Sequence, residues 1–140
     1  MAAFMLGCFA VAPDGTLLCS PDDPASIRFA WRGRPCRAEV APARLRLEVM
    51  AGRVPSTAEP GADRMRALGA VRALPRSLPR DWRVSLTPDH SIRIETTAAM
   101  PNPPTAVSLV AAMIRFALAL DPYLDALEAG GSGSWKTCPG

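Results

Sequence analysis

The chain has little of what most often carries chemistry. Its 140 residues include one histidine, His90, and one lysine, Lys136. The cysteines Cys8, Cys19, Cys36 and Cys138 are scattered, and none stands in the C-x-x-C spacing of a zinc site or redox motif. No glycine-rich phosphate loop is present. His90 follows Asp89 in a turn-like stretch, where the water exclusion that acid–base work needs is absent, so it reads as a solvated turn histidine. Asp14, Asp22 and Asp23 lack the ligand spacing of a calcium or magnesium loop and read as turn formers. The expectation is a non-enzymatic protein with no catalytic residue, cofactor or metal.

Long apolar runs are also short of what a bilayer needs. Ala2–Ala12 is apolar, but it has no basic residue ahead of it and Pro13-Asp14-Gly15 cuts it off, unlike a secretory signal. No apolar stretch reaches the roughly 20 residues of a membrane span. A cytoplasmic location is expected, with the thiols packing as small buried hydrophobes; an even cysteine count would allow a disulfide pair only in a secreted setting.

What the chain does hold is a globular balance of 49% hydrophobic and 21% charged residues. The net charge of +3 is too mild to mark a nucleic-acid binder by itself. Fifteen prolines, about twice the usual share, predict short and sharply punctuated elements. One α+β domain is expected over residues 1–129, followed by a flexible Gly/Ser-rich tail at 130–140.

Residues 3–12 and 16–19 read as a hairpin about Pro13-Asp14-Gly15, with a short amphipathic helix as the alternative for the first ten residues. Residues 27–32 alternate, with Ile27, Phe29 and Trp31 on one face and Arg28, Ala30 and Arg32 on the other. Cys36–Val40 is a plausible partner strand after the Gly33-Arg34-Pro35 turn, and Arg44–Val49 alternates again. The period changes to helical from Ala62 to Leu74, ended by Pro75. Trp82–Leu86 and Ile92–Thr96 form a second hairpin around Thr87–Ser91. Thr105 caps a long helix that Asp121-Pro122 restarts or kinks. The architecture expected is an antiparallel sheet of about five strands, with a middle helix and a long C-terminal helix packed on one face.

Two surfaces stand out. Arg28, Arg32, Arg34, Arg37, Arg44, Arg46 and Arg53 face only Glu39 and Glu48 over the same segment. On neighbouring strands they would make a positive face, with Arg28, Arg32, Arg44 and Arg46 as the candidates for an anionic partner. Phe29 and Trp31 alternate to the other side, which argues against a stacking platform for single-stranded nucleic acid. On the long helix, Val107, Val110, Ala111, Ile114, Ala117 and Leu118 form the main apolar stripe, and Leu109, Met113, Phe116 and Leu120 widen it. A stripe wider than about 100° is covered either by the rest of the chain or by another polypeptide.

The stretch from Leu45 to Leu127 resembles the type III secretion chaperone-like fold, which includes Tir-type chaperones and YbjN-like domains. The resemblance lies in the order of strand Leu45–Val49, helix Met65–Leu74, hairpin Trp82–Thr96 and the Leu/Phe-containing helix from Thr105. That family usually opens with an amphipathic helix, whereas residues 3–12 look more like a strand. The resemblance implies a cytoplasmic homodimer that holds apolar segments of a partner protein. By position it implies partner binding by Ile27, Phe29, Trp31, Leu45 and Leu47, and dimer contact by Met65 and Leu68. The other reading is a small arginine-rich domain that binds nucleic acid or another anionic ligand.

Overall fold

The computed structural model describes residues 4–6, 9–18, 26–41, 43–55, 63–101 and 103–131. Its centre is an antiparallel sheet built by the period-2 segments. Strands β4 (Ser26–Trp31), β5 (Arg34–Ala41) and β6 (Arg44–Arg53) form a meander. β7 (Arg83–Leu86) and β8 (Ser91–Ala99) form the second hairpin. The order across the sheet is β4-β5-β6-β8-β7, so β4 and β7 are its edges.

Alternation decides the two faces. Cys36, Ala38, Val40, Leu45, Leu47, Val49, Ile92 and Ile94 point inward and are buried, while Arg37, Arg44 and Arg46 point outward. A bulge between Met50 and Gly52 shifts the β6–β8 register and leaves Ala51 unpaired. Helix α2 (Ala106–Ala129) covers the inner face, and α1 (Arg64–Ser77) packs beside it near β7. Asp63 caps α1 by accepting from Arg66 N at 3.0 Å, and Thr105 caps α2 by accepting from Ser108 N at 3.1 Å. At the other end of α2, Arg66 Nη2 donates to the Ala129 carbonyl at 2.6 Å, placing a cation on the C-terminal dipole. The fold is α+β, with a five-stranded antiparallel sheet, a middle helix and a long C-terminal helix on the sheet.

Several expectations change here. The first apolar run folds back on itself: β1 (Phe4–Leu6) pairs with β2 (Phe9–Val11), which pairs with β3 (Leu17–Leu18). This small sheet meets α2 where Ala106 N donates to the Gly15 carbonyl at 2.7 Å. α2 runs through Pro122 without a restart, with the proline exposed. At 24 residues it is long and apolar enough to cross a bilayer by length and composition, contrary to the expectation that no stretch would be. α1 likewise runs past Pro75 to Ser77. Cys8, Cys19, Cys138, Asp22, Asp23 and the tail beyond Gly131 lie outside the described residues.

The wide apolar stripe of α2 divides between core and surface. Leu109, Ala112, Phe116, Leu120, Leu124 and Leu127 form the buried face of α2. Val107, Val110, Ile114 and Leu118 are exposed. The buried set continues past Pro122 to Leu127, whereas the other set ends where Asp121, Pro122 and Asp125 begin.

Candidate functional site

The exposed face of α2 borders the open edge of the sheet. Val110, Met113, Ile114, Ala117 and Leu118 from α2 meet Phe29 and Trp31 from β4 around an apolar cleft of about 170 Å³. Val107 is 78% exposed, Ile114 53% and Leu118 56%. These residues recur at spacings of three and four, so they lie in one stripe along the helix. Phe29 and Trp31 are half-buried against the core from the far side of the cleft.

One end of the cleft is polar. Trp31 Nε1 donates to Asp121 Oδ1 at 2.8 Å, which fixes the indole. Arg32 has φ 52° and Gly33 φ 76°, so the β4–β5 turn uses two left-handed residues, the two-residue type that matches strand twist. That turn swings Arg32 onto α2, where its Nη2 lies 2.8 Å from Asp125 and 3.2 Å from Glu128. The hydrogen bond that Arg32 donates to Asp125, reinforced by the charges of Asp125 and Glu128, raises the guanidinium's already high pKa. Arg32 therefore leaves the outer positive face on which its alternation with Arg28 had placed it.

Arg34 departs further. Its side chain is 1% exposed, because β5 begins two residues earlier than expected and Arg34 shares the inward face of Cys36. It donates to the Ala51 carbonyl from Nε at 2.7 Å, to the Arg32 carbonyl at 3.1 Å and to Glu128 Oε1 at 2.6 Å. The bulge at Ala51 supplies the first acceptor.

Among the residues expected to bind a partner, Phe29 and Trp31 line the cleft and Ile27 lies half-buried on the same strand face. Leu45 and Leu47 do not join them: α2 covers both, and they are core residues at 0% and 2% exposure. Met65 and Leu68 sit on α1, Met65 exposed and Leu68 packed against the core, and neither lines the cleft. Arg28, Arg44 and Arg46 do lie on the outer sheet face. That face is mixed in sign, since Arg37 meets Glu39 at 2.9 Å and Arg46 meets Glu95 at 2.8 Å. Two of its arginines were missed, Arg80 and Arg83, which join Arg44 and Arg46 around a groove of about 520 Å³. Their sequence positions around Pro79 and Trp82 carried no signal that the chain would bring them beside β6.

His90 is exposed at φ 65° in the β7–β8 turn, with Arg64 Nη2 3.5 Å from its Nδ1. Among the described residues no three His, Cys, Asp or Glu side chains gather as a metal set would. No protein-family model, curated protein or solved structure matches this chain.

Proposed function

We propose that this protein is a non-enzymatic protein-binding module whose working surface is the cleft between β4 and α2. The observation that carries this reading is the stripe of Val107, Val110, Ile114 and Leu118, exposed beside Phe29 and Trp31 at a sheet edge that no strand among the described residues pairs. Contiguous apolar surface of this kind favours removal from water, and an open edge adds backbone groups that a second strand satisfies. The succession strand, helix, hairpin, long helix is also that of the secretion-chaperone-like fold, which supports a role in holding apolar segments of a partner. For the isolated protein the occupant is a second copy, giving a homodimer.

The register of that pairing follows from β4 itself. In a two-residue hairpin the flanking pair Trp31–Arg34 bonds both ways, so Ser26, Arg28 and Ala30 present their backbone groups to the open edge. A two-fold axis at Arg28 would set Arg28 against its own copy, and an axis at Ala30 would set it against Arg32. An axis at Phe29 opposes Phe29 to Phe29, Trp31 to Ile27 and Arg28 to Ala30, free of like-charge contact.

Light scattering over a concentration series tests this. A species near twice 14.9 kDa that the Ile114→Glu, Leu118→Glu double variant reduces to monomer, with helical dichroism intact, is the expected result. A monomer at every concentration that also takes up no apolar extended peptide would remove the reading. Trp31→Asp and Leu47→Asp are unsuitable probes, because the first sets a carboxylate against Asp121 and the second buries one in the core.

A further inference from the structure

A second open edge lies at the other side of the sheet. β6 pairs with β8 from Ser91 to Ala99, interrupted only by the bulge at Ala51, but β7 pairs with β8 only from Ile92 to Glu95. Among the described residues no strand continues the line of β7 beside Thr97–Ala99. The turn bond from Thr87 N to the Ser91 carbonyl at 2.8 Å sets the parity of this ladder: odd positions of β8 point their backbone groups toward β7. Thr97 and Ala99, both exposed, therefore present N–H and C=O groups to the vacated side.

The two faces of this notch differ in chemistry. On the outer face, Arg44, Arg46, Arg80 and Arg83 surround the 520 Å³ groove with Asp81 and Glu95. Four arginines against two carboxylates leave two positive charges. Among the described residues, only Arg46 of the four has an ion-pair partner within 4.0 Å, Glu95. On the inner face a cavity of about 220 Å³ is walled by Trp82, Ala98, Ala112 and Phe116, with Arg115 also lining it. Trp82 is held there by its ring packing on Phe116 at 5.2 Å. The two hollows share Thr96 and Thr97, so they are the two sides of one strand position.

We propose that this notch binds an extended polypeptide segment of alternating acidic and apolar residues, added as a strand beside Thr97–Ala99 in line with β7. An added strand sends successive side chains to opposite faces. Every second residue then enters the arginine groove, where forked guanidiniums suit carboxylates. The residues between them enter the inner cavity, against Trp82 and Phe116. Two carboxylates two residues apart match the two surplus positive charges. A free phosphate would use the arginines alone, and a single-stranded nucleic acid would need aromatic faces on the arginine side, whereas Trp82 lies on the other. This site is separate from the β4–α2 cleft, and either one stands without the other.

The probe is a terminally blocked hexapeptide of alternating glutamate and valine, titrated into the full chain and followed by amide NMR. The expected result is saturable shifts at Thr97, Ala99 and the Trp82 indole. The Arg44→Glu, Arg83→Glu double variant weakens binding by roughly tenfold or more, since it removes two charge-assisted contacts and adds repulsion. Thr97→Pro also weakens it; the lost N–H faces the open edge, so the fold keeps its own hydrogen bonds. A glutamate/serine peptide that binds equally well would show that the apolar side is unused and would overturn the proposal. So would equal shifts from inorganic phosphate or oligothymidine, or no saturable shift at all. The Ile114→Glu, Leu118→Glu variant binds the peptide unchanged; loss of binding there would move the site to the β4–α2 cleft and overturn this assignment.

Discussion

Arg34 Nη2 lies 2.6 Å from Glu128 Oε1, joining the first residue of β5 to the last turn of α2 across 94 positions. The guanidinium is buried, its other nitrogens are held by the carbonyls of Ala51 and Arg32, and Glu128 reaches water at 42% exposure. The buried cation therefore has a partner that stays partly solvated, which limits the desolvation cost that makes fully buried pairs poor stabilisers. The contact pins the β4–β5 turn to α2 and closes the polar end of the cleft.

Glu128→Ala should cost about 1–3 kcal/mol, the range for leaving a buried polar group without its partner. Arg34→Met should cost a similar amount, because it strands the carbonyls of Ala51 and Arg32. Urea denaturation of both single variants and the double variant checks this. The expected double loss is smaller than the sum of the singles, and strict additivity would show that the pair is not coupled.

Gly130 follows α2 beside Ala70 of α1. A Cβ at this position would overlap the Ala70 Cβ, while its φ of −79° suits any residue. Gly130→Ala should therefore destabilise by about 1–3 kcal/mol through overpacking alone. Adding Ala70→Gly opens the space, and the double variant should recover part of the loss despite the helix penalty of a glycine. Thermal unfolding of the three proteins decides it; no recovery would exclude the overlap as the cause.

Burial pushes the Cys36 thiol up to about 12 from its ordinary 9.0, with small opposing effects from the Trp31 backbone and Arg34. Folded Cys36 should resist iodoacetamide at mildly alkaline pH and react once the chain is unfolded, as peptide mapping by mass spectrometry would show. The folded state keeps its proton where the unfolded state has lost it. The contribution of this thiol to stability is thus complete below 9.0 and falls away as pH rises toward about 12.

The Asp89 carboxylate accepts from the Thr87 hydroxyl and from Ser91, and these hydrogen bonds, that of Thr87 first, hold it below its ordinary 3.8. The folded state favours the charged form, so the stabilisation is present above 3.8 and is lost as pH falls through the lower folded value. Asp89→Asn should flatten that part of the acid unfolding curve. An unchanged acid limb would show that the carboxylate contributes nothing to the turn.

Much of the site could be read from local pattern. The alternation of Ile27, Phe29 and Trp31 put them together on one face, and two of them line the cleft. Parity also carried a signal that the turn reading hid: Arg34 is two residues from Cys36, so a strand beginning at Arg34 must point it inward. The two faces of α2 could likewise have been separated, because only the Leu109-to-Leu127 set continues through Pro122. Leu45 and Leu47 could not be placed by pattern alone. An inward strand residue is a core residue or a binding residue according to whether a helix lies over it, and that depends on chain far away in sequence.

Local sequence by itself determined the periods, the Thr105 cap and the β7–β8 turn: two strand groups, two helices, and an apolar excess on the second helix. These are short-range matters of side-chain alternation and backbone preference, settled by residues a few positions apart. Only the tertiary structure decided that a helix lies over Leu45 and Leu47, that Arg32 and Arg34 converge on Glu128, and that Arg80 and Arg83 come beside Arg44 and Arg46. Each of these joins residues far apart in the chain. Its outcome depends on how much apolar surface the whole fold can cover at once, a quantity no local window contains.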